Sequence, residues 1–69
     1  MKARLFIMRG ADEEEVREET RAQRMLDALS RGRCPLCGGR AEVLSAVPEI
    51  RYLSWVCREC RAFFYSIEE

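Results

Sequence analysis

Four cysteines form two Cys-x-x-Cys pairs, the arrangement in this sequence whose residue types and spacing most clearly could do chemistry. The pairs are Cys34–Cys37 and Cys57–Cys60, with nineteen residues between Cys37 and Cys57. Two such pairs at this separation are typical of a tetrahedral site in which four thiolates hold one zinc ion. The segment between them is long enough for an antiparallel hairpin that returns the second pair to the first. We therefore predict one zinc ion bound by all four cysteines.

Other chemistry remains open for the same cysteines. Two disulfides would suit a secreted mini-protein, but the apolar run at residues 5–8 is too short for a signal sequence or a membrane span. A redox motif would need a βαβ context that this length cannot supply. An iron ion or an iron–sulfur cluster uses the same thiolates, and spacing alone does not separate it from zinc. We predict zinc, a cytoplasmic location where thiols stay reduced, and no membrane partner.

Length and composition limit what the chain can be. With 69 residues the chain makes one domain at most. A hydrophobic core of this size is only marginally stable unless a disulfide, a metal ion or a similar cross-link supports it. The metal should therefore be structural. The 12 basic and 12 acidic residues cancel, which excludes a general polyanion binder and leaves only a local patch for nucleic acid. Arginine supplies all but one of the basic residues, and Asn and His are absent. This bias is typical of a thermophile and equally of a GC-rich genome.

The first segment with a clear pattern is residues 3–9, which predict a short strand. Alternation places Leu5 and Ile7 on one face and Phe6 and Met8 on the other. We favour an ordinary edge strand. The alternative is a strand covered on both faces, since both sets are apolar.

A helix over residues 13–30 is the next prediction. Asp12 and Glu15 form a capping-box pattern, and Gly32 suits the position just after the helix end. An apolar stripe occupies the second half, where the helix should dock. Three arginines share a different face, which could follow phosphates but more simply forms a solvated face with local ion pairs. The stripe is Ala22, Met25, Leu26 and Leu29, and the arginines are Arg17, Arg21 and Arg24.

Three further strands are predicted around the cysteine pairs. They cover residues 41–47, 50–56 and 61–67, with the turn between the first two at Pro48 and Glu49. We divide the chain into an N-terminal strand and helix at 1–32 and a metal-binding part at 33–69, which together form one compact unit.

The segment from Cys34 to Ile67 resembles a zinc ribbon. It shares Cys-Pro-x-Cys-Gly at 34–38, a hairpin, the aromatic and cysteine run at 55–60, and a final aromatic strand. The resemblance implies a small zinc-stabilised α+β domain, with an N-terminal strand and helix followed by a three-stranded antiparallel zinc ribbon. Arg61 stands where many ribbons have glycine. Zinc ribbons occur in transcription factors, polymerase subunits, ribosomal proteins and transposases, so the fold alone does not define the function.

Enzymatic activity is not expected. Four thiolates close the coordination sphere of a zinc ion and leave no position for water or substrate. The sequence has no histidine, and no set of its side chains has the pattern of a catalytic group.

We predict a small regulator or accessory factor of nucleic-acid processes such as transcription, whose partner is nucleic acid or a nucleic-acid-processing protein. The predicted contact residues are Arg40, Arg51, Arg58 and Arg61, with Arg33 beside them. The candidate stacking groups are Tyr52, Trp55, Phe63 and Tyr65, unless they form the core. The alternative function is a protein–protein adaptor or a self-associating module with a purely structural zinc.

Overall fold

One five-stranded antiparallel sheet and one helix make up residues 3–68, the part of the chain that the computed structural model describes. The strands are β1 (Ala3–Arg9), β2 (Asp12–Val16), β3 (Ala41–Val47), β4 (Tyr52–Cys57) and β5 (Phe63–Glu68), and the helix is α1 (Glu19–Ser30). Their order across the sheet is β2-β1-β5-β4-β3. The predicted α+β class is therefore confirmed. The predicted three strands β3, β4 and β5 are present, but the sheet continues beyond them through β1 and β2.

Strand β1 was expected at an edge and instead lies inside the sheet, between β2 and β5. The edge prediction was wrong because Gly10 and Ala11 turn the chain into a tight hairpin, with Gly10 at a φ of 60° that suits glycine. The predicted faces of β1 are confirmed. Leu5 and Ile7 are buried, and Phe6 and Met8 are half-buried on the opposite side.

The predicted start of the helix was also wrong, because residues 12–16 form strand β2 and α1 begins only at Glu19. Pairing with β1 places Val16 opposite Leu5, where its side chain is buried. The Glu15 carboxylate accepts hydrogen bonds from Arg4 at 3.0 and 3.2 Å. A capping box contributes about 1 kcal/mol, so a paired hairpin with a buried valine outweighs it.

Because α1 begins at Glu19, the arginines expected along one face of the helix do not all lie on it. Arg17 precedes α1 and lies 3.9 Å from a Glu15 oxygen, while Arg21 lies 3.7 Å from Glu14. These contacts join the helix start to β2, so the arginines do not form one continuous helical row.

The second half of the helix docks as predicted. Ala22, Met25 and Leu29 are buried, and Leu26 packs partly against them. They cover the sheet face that carries Leu5, Ile7, Trp55 and Phe64, which we call the inner face. The helix ends at Ser30 with Arg31 as its C-cap, and Gly32 follows with a φ of 78°, as its predicted position requires.

The C-terminal strands follow the predicted order with shifted starts. β3 has the predicted bounds. β4 begins at Tyr52 because residues 48–50 form a single 3₁₀ turn and Arg51 adopts a left-handed conformation with a φ of 52°. β5 begins at Phe63 because residues 61 and 62 belong to the turn that carries the second cysteine pair.

Substitutions in the core test both the docking of α1 and the existence of β2. Leu29→Ala should lower the free energy of unfolding by about 2–5 kcal/mol, since its side chain is only 2% exposed. Val16→Ala should cost about 1–2 kcal/mol, because two buried methyl groups are lost. Gln23→Ala, at an exposed position of α1, is the control and should change stability by less than about 0.5 kcal/mol. Denaturant unfolding measures all three, and no effect at Val16 would contradict the β1–β2 hairpin.

Candidate metal centre

The first cysteine turn follows the end of helix α1. The Gly32 carbonyl accepts a hydrogen bond from the Ala41 N–H at 2.9 Å, which ties the helix end to the start of β3. Within the turn, the Gly38 N–H donates to the Cys34 carbonyl at 2.9 Å, and the Cys34 N–H donates to the Gly39 carbonyl at 2.8 Å. These bonds close the loop around Cys34 and Cys37 and aim both sulfurs to one side.

The second cysteine turn joins β4 to β5. Cys57 is the last residue of β4, and its N–H donates to the Ala62 carbonyl at 2.9 Å. Arg61 has a φ of 60°, and Gly38 occupies the corresponding position of the first turn with a φ of 78°. The two turns therefore bend in the same way, although one uses glycine and the other arginine after the second cysteine.

The two turns bring all four sulfurs together. The Sγ atoms of Cys34 and Cys60 are 3.6 Å apart, those of Cys37 and Cys57 are 3.5 Å apart, and all four lie within 4.8 Å of one another. A tetrahedral ion with metal–sulfur bonds of about 2.3 Å places its sulfurs about 3.8 Å apart. The four thiols are therefore positioned to coordinate one metal ion.

The sulfur–sulfur distances also bear on the disulfide and iron–sulfur alternatives for these cysteines. All four cysteines are free, and the 3.5 and 3.6 Å separations are far longer than a disulfide bond of about 2.05 Å. Sulfurs grouped this tightly fit a single ion, because a cluster of several irons holds its thiolates farther apart. Zinc and a single iron ion both accept four thiolates in a tetrahedron, so this geometry fits either ion.

Burial and hydrogen bonding shift the pKa values of Cys57 and Cys60 in opposite directions. The backbone N–H of Cys60 is the main cause that lowers the pKa of Cys57 to about 7. Burial raises the pKa of Cys60 to about 12. Since a metal binds thiolates, its binding must release the protons that these thiols hold, and Cys57 loses its proton more easily than Cys60.

One residue of the site escaped sequence analysis: Glu59, which links the two turns. Its carboxylate accepts a hydrogen bond from the Arg40 N–H at 3.0 Å, across 19 residues of sequence. The same carboxylate lies where a Cβ atom on Gly39 would stand. The second glycine of the Gly38–Gly39 pair was the available signal, since its side chain must be absent for Glu59 to reach the backbone.

The predicted arginines do not form one patch. Arg40, Arg58 and Arg61 lie in or beside the two cysteine turns and are exposed. Arg51 precedes β4 and Arg58 follows it, so the two are separated by the length of a six-residue strand, about 20 Å. Arg51 lies 3.7 Å from Glu68 at that far end.

A shallow cleft borders the three arginines nearest the first turn. It has a volume of about 560 Å³ and lies between the helix end and the cysteine loop. Arg31, Arg33 and Arg40 line it, with Glu42 as its acidic residue. Arg58 pairs with Glu42 at 3.4 Å, which partly neutralises that carboxylate.

The four predicted stacking residues separate onto two faces of the sheet. Trp55 is 4% exposed on the inner face and belongs to the core. Tyr52, Phe63 and Tyr65 lie on the opposite face, which we call the outer face, together with Phe6. There the Phe6 and Tyr65 rings stack at 4.8 Å and Tyr52 stacks on Tyr65 at 6.0 Å.

The outer-face rings also contact polar side chains. The Arg4 guanidinium lies 5.2 Å from the centre of the Phe6 ring, and Tyr65 donates a hydrogen bond to the Glu13 carboxylate at 2.9 Å. Burial, and then this bond to Glu13, raise the pKa of Tyr65. The rings therefore form an aromatic row whose members are half-buried and pack against one another.

Comparison with known proteins adds no relative. No family model, no curated protein and no solved structure matches this chain. Within residues 3–68, no helix is both long and apolar enough to cross a membrane.

Removal of the metal should unfold the protein. We expect one metal ion per chain by elemental analysis, and loss of native circular dichroism when a strong chelator is added. Structural zinc sites contribute roughly 10–16 kcal/mol of apparent binding free energy, more than a core of this size supplies. Cys57→Ser should act like the chelator. Metal-free protein that keeps its native dichroism would contradict a structural role.

The link between the two turns can be tested with a pair of substitutions. Gly39→Ala should displace the Glu59 carboxylate and break its hydrogen bond to the Arg40 N–H, which costs about 0.5–1.5 kcal/mol. Glu59→Ala should cost a similar amount. If the two act through one contact, the double variant should be little worse than either single variant, as measured by chelator competition and denaturant unfolding. Strictly additive losses would show that Gly39 and Glu59 act separately.

Proposed function

We propose that this chain is a non-enzymatic binding module of the zinc-ribbon type and a small accessory factor of nucleic-acid processes such as transcription. One structural zinc ion would be held by Cys34, Cys37, Cys57 and Cys60. The four converging thiols support this, because an ion that they surround has no coordination position left for a substrate. The protein would then act by binding, through the side chains that the two cysteine turns hold in place.

The nucleic-acid part of the proposal rests on the backbone conformation of Arg61. A left-handed conformation costs a residue other than glycine, Asn or Asp about 1–2 kcal/mol, and Gly38 avoids this cost in the matching turn. Within residues 3–68, the Arg61 side chain forms no ion pair or hydrogen bond that would offset it. The fold therefore gains nothing evident from this arginine, which favours a benefit outside the fold, such as a phosphate contact.

The surrounding charges favour a short-range contact. Arg31, Arg33, Arg40 and Arg58 lie at the same end as Arg61, against Asp27, Glu42 and Glu59. Four thiolates around a divalent ion leave about two net negative charges, which offset the local excess of arginine. Attraction over long distances is therefore weak. Nucleic acid would be held by individual guanidinium–phosphate contacts, and the affinity should be modest and salt-dependent.

A second candidate function is a protein–protein adaptor. Six of the seven large hydrophobic side chains that are exposed within residues 3–68 lie along β3, in the turn after it, or on neighbouring ends of β4 and β5. They are Val43, Leu44, Val47, Ile50, Leu53 and Ile67. Apolar side chains gathered at one end of a small domain favour a protein partner.

Arginine substitutions separate the two functions. We expect the zinc-loaded protein to bind duplex or single-stranded nucleic acid at low salt, and Arg58→Ala with Arg61→Ala to lower the log–log salt slope on duplex DNA by about two. The fold should survive, since neither residue is a ligand. Arg17→Ala with Arg24→Ala removes the same charge from exposed positions outside the cysteine turns and serves as the matched control. The adaptor function would be favoured instead if the protein bound no nucleic acid at low salt, or if the Arg58 and Arg61 variant bound it as tightly as the parent.

Arg61→Gly sharpens the same test. Glycine relieves the left-handed conformation, so the variant should be more stable than the parent by up to about 1 kcal/mol while it binds nucleic acid more weakly. If the arginine instead serves to offset the charge of the metal site, Arg61→Gly should lower zinc affinity in a chelator competition and leave nucleic-acid binding unchanged.

A further inference from the structure

The two edges of the sheet are chemically opposite. β2 forms one edge and carries four consecutive acids, Asp12, Glu13, Glu14 and Glu15. β3 forms the other edge, and Glu42 is the one charged residue in its seven positions. Runs of charge on an edge strand prevent pairing with another chain, whereas an uncharged edge with free N–H and C=O groups invites it. The fold thus protects β2. On β3 only the start of the edge is occupied, since the Ala41 N–H donates to the Gly32 carbonyl at 2.9 Å, and residues 42–47 pair with no described strand on that side.

The side chains of β3 add apolar surface to that open edge. All but the first of its residues are exposed, with Val43 at 63% and Leu44 at 58%. The pairing register shifts between Val43 and Ser45, so Val43 and Leu44 together oppose Trp55 of β4. This bulge places two large exposed hydrophobic residues at the middle of the strand.

The distribution of charge around β3 favours a second copy of the same strand as the partner of this edge. Arg40 precedes the strand, and Glu49 follows it just beyond Pro48. When two copies of β3 pair antiparallel, the start of one strand meets the end of the other, so each Arg40 comes near the partner's Glu49 end. The two copies of Glu42 then lie at opposite ends and do not repel each other. A closed two-fold pair satisfies all of these contacts twice.

We propose that this chain forms a two-fold symmetric dimer in which the β3 strands of two copies pair antiparallel, joining their sheets into one ten-stranded sheet. Val43 and Leu44 of each copy lie near the two-fold axis and bury their exposed side chains against the other copy. This inference gives the adaptor function a definite partner, and it does not depend on nucleic-acid binding.

The experiment is a measurement of molar mass on zinc-loaded protein without nucleic acid, by sedimentation equilibrium over a range of concentrations. The parent should approach twice its monomer mass of 8.1 kDa. Val43→Lys with Leu44→Lys should weaken dimerisation at least about tenfold, because like charges then meet across the axis. Both positions are exposed, so metal content and circular dichroism should stay unchanged. Leu36→Lys places the same substitution at a 37% exposed position of the first cysteine turn and should leave the dimer intact.

Hydrogen exchange locates the interface. In the parent, amides of β3 should exchange more slowly as the protein concentration rises, and those of β2 should not change. A mass of 8.1 kDa at all concentrations would overturn the proposal. It would equally be overturned by a mass that grows beyond two chains, by a dimer that survives both lysines, or by one that Leu36→Lys disrupts as strongly. Because no nucleic acid is present, none of these outcomes bears on the role proposed for Arg61.

Discussion

The convergence of four cysteine sulfurs is the constraint on which the rest of this structure depends. Two turns, one after helix α1 and one between β4 and β5, meet at this point and join elements that lie far apart in the sequence. Cys34 and Cys57 are buried within the same core as Leu29 and Phe64. The cysteine cluster is therefore continuous with the hydrophobic core, and a metal ion held there would be coupled to the stability of that core.

The second organising feature is the competition between local signals and sheet pairing. Residues 12–15 carry every local mark of a helix start, yet they pair with β1 because Val16 gains burial there and Glu15 gains Arg4. This pairing moves β1 into the interior and makes the acidic strand the edge. The acids that suggested a capping box therefore lie along an edge of the sheet, where runs of charge disfavour pairing with another chain.

Arginine has more than one role in this molecule. Arg4 and Arg51 lie against acids on the sheet, far from the cysteine turns, whereas Arg58 pairs with Glu42 beside them. Arg51 and Arg61 both adopt a left-handed backbone conformation, but Arg51 lies against Glu68, whereas the Arg61 guanidinium has no ion pair within residues 3–68. The physical contrast between Arg61 and Gly38, at matching positions of two similar turns, is what sets this residue apart.

The sequence by itself determined the four cysteines that come together, the α+β class, the docking stripe of the helix and the three C-terminal strands. Each of these follows from a pattern of residue types at short spacing, such as Cys-x-x-Cys or the repeat of Ala22, Met25 and Leu29. Only the tertiary structure decided that residues 12–16 form a strand, that Glu59 bonds to the Arg40 backbone, and that Arg51 lies apart from the other arginines. These depend on which strands are neighbours, and strand pairing over long sequence separations leaves no periodic signal in the chain.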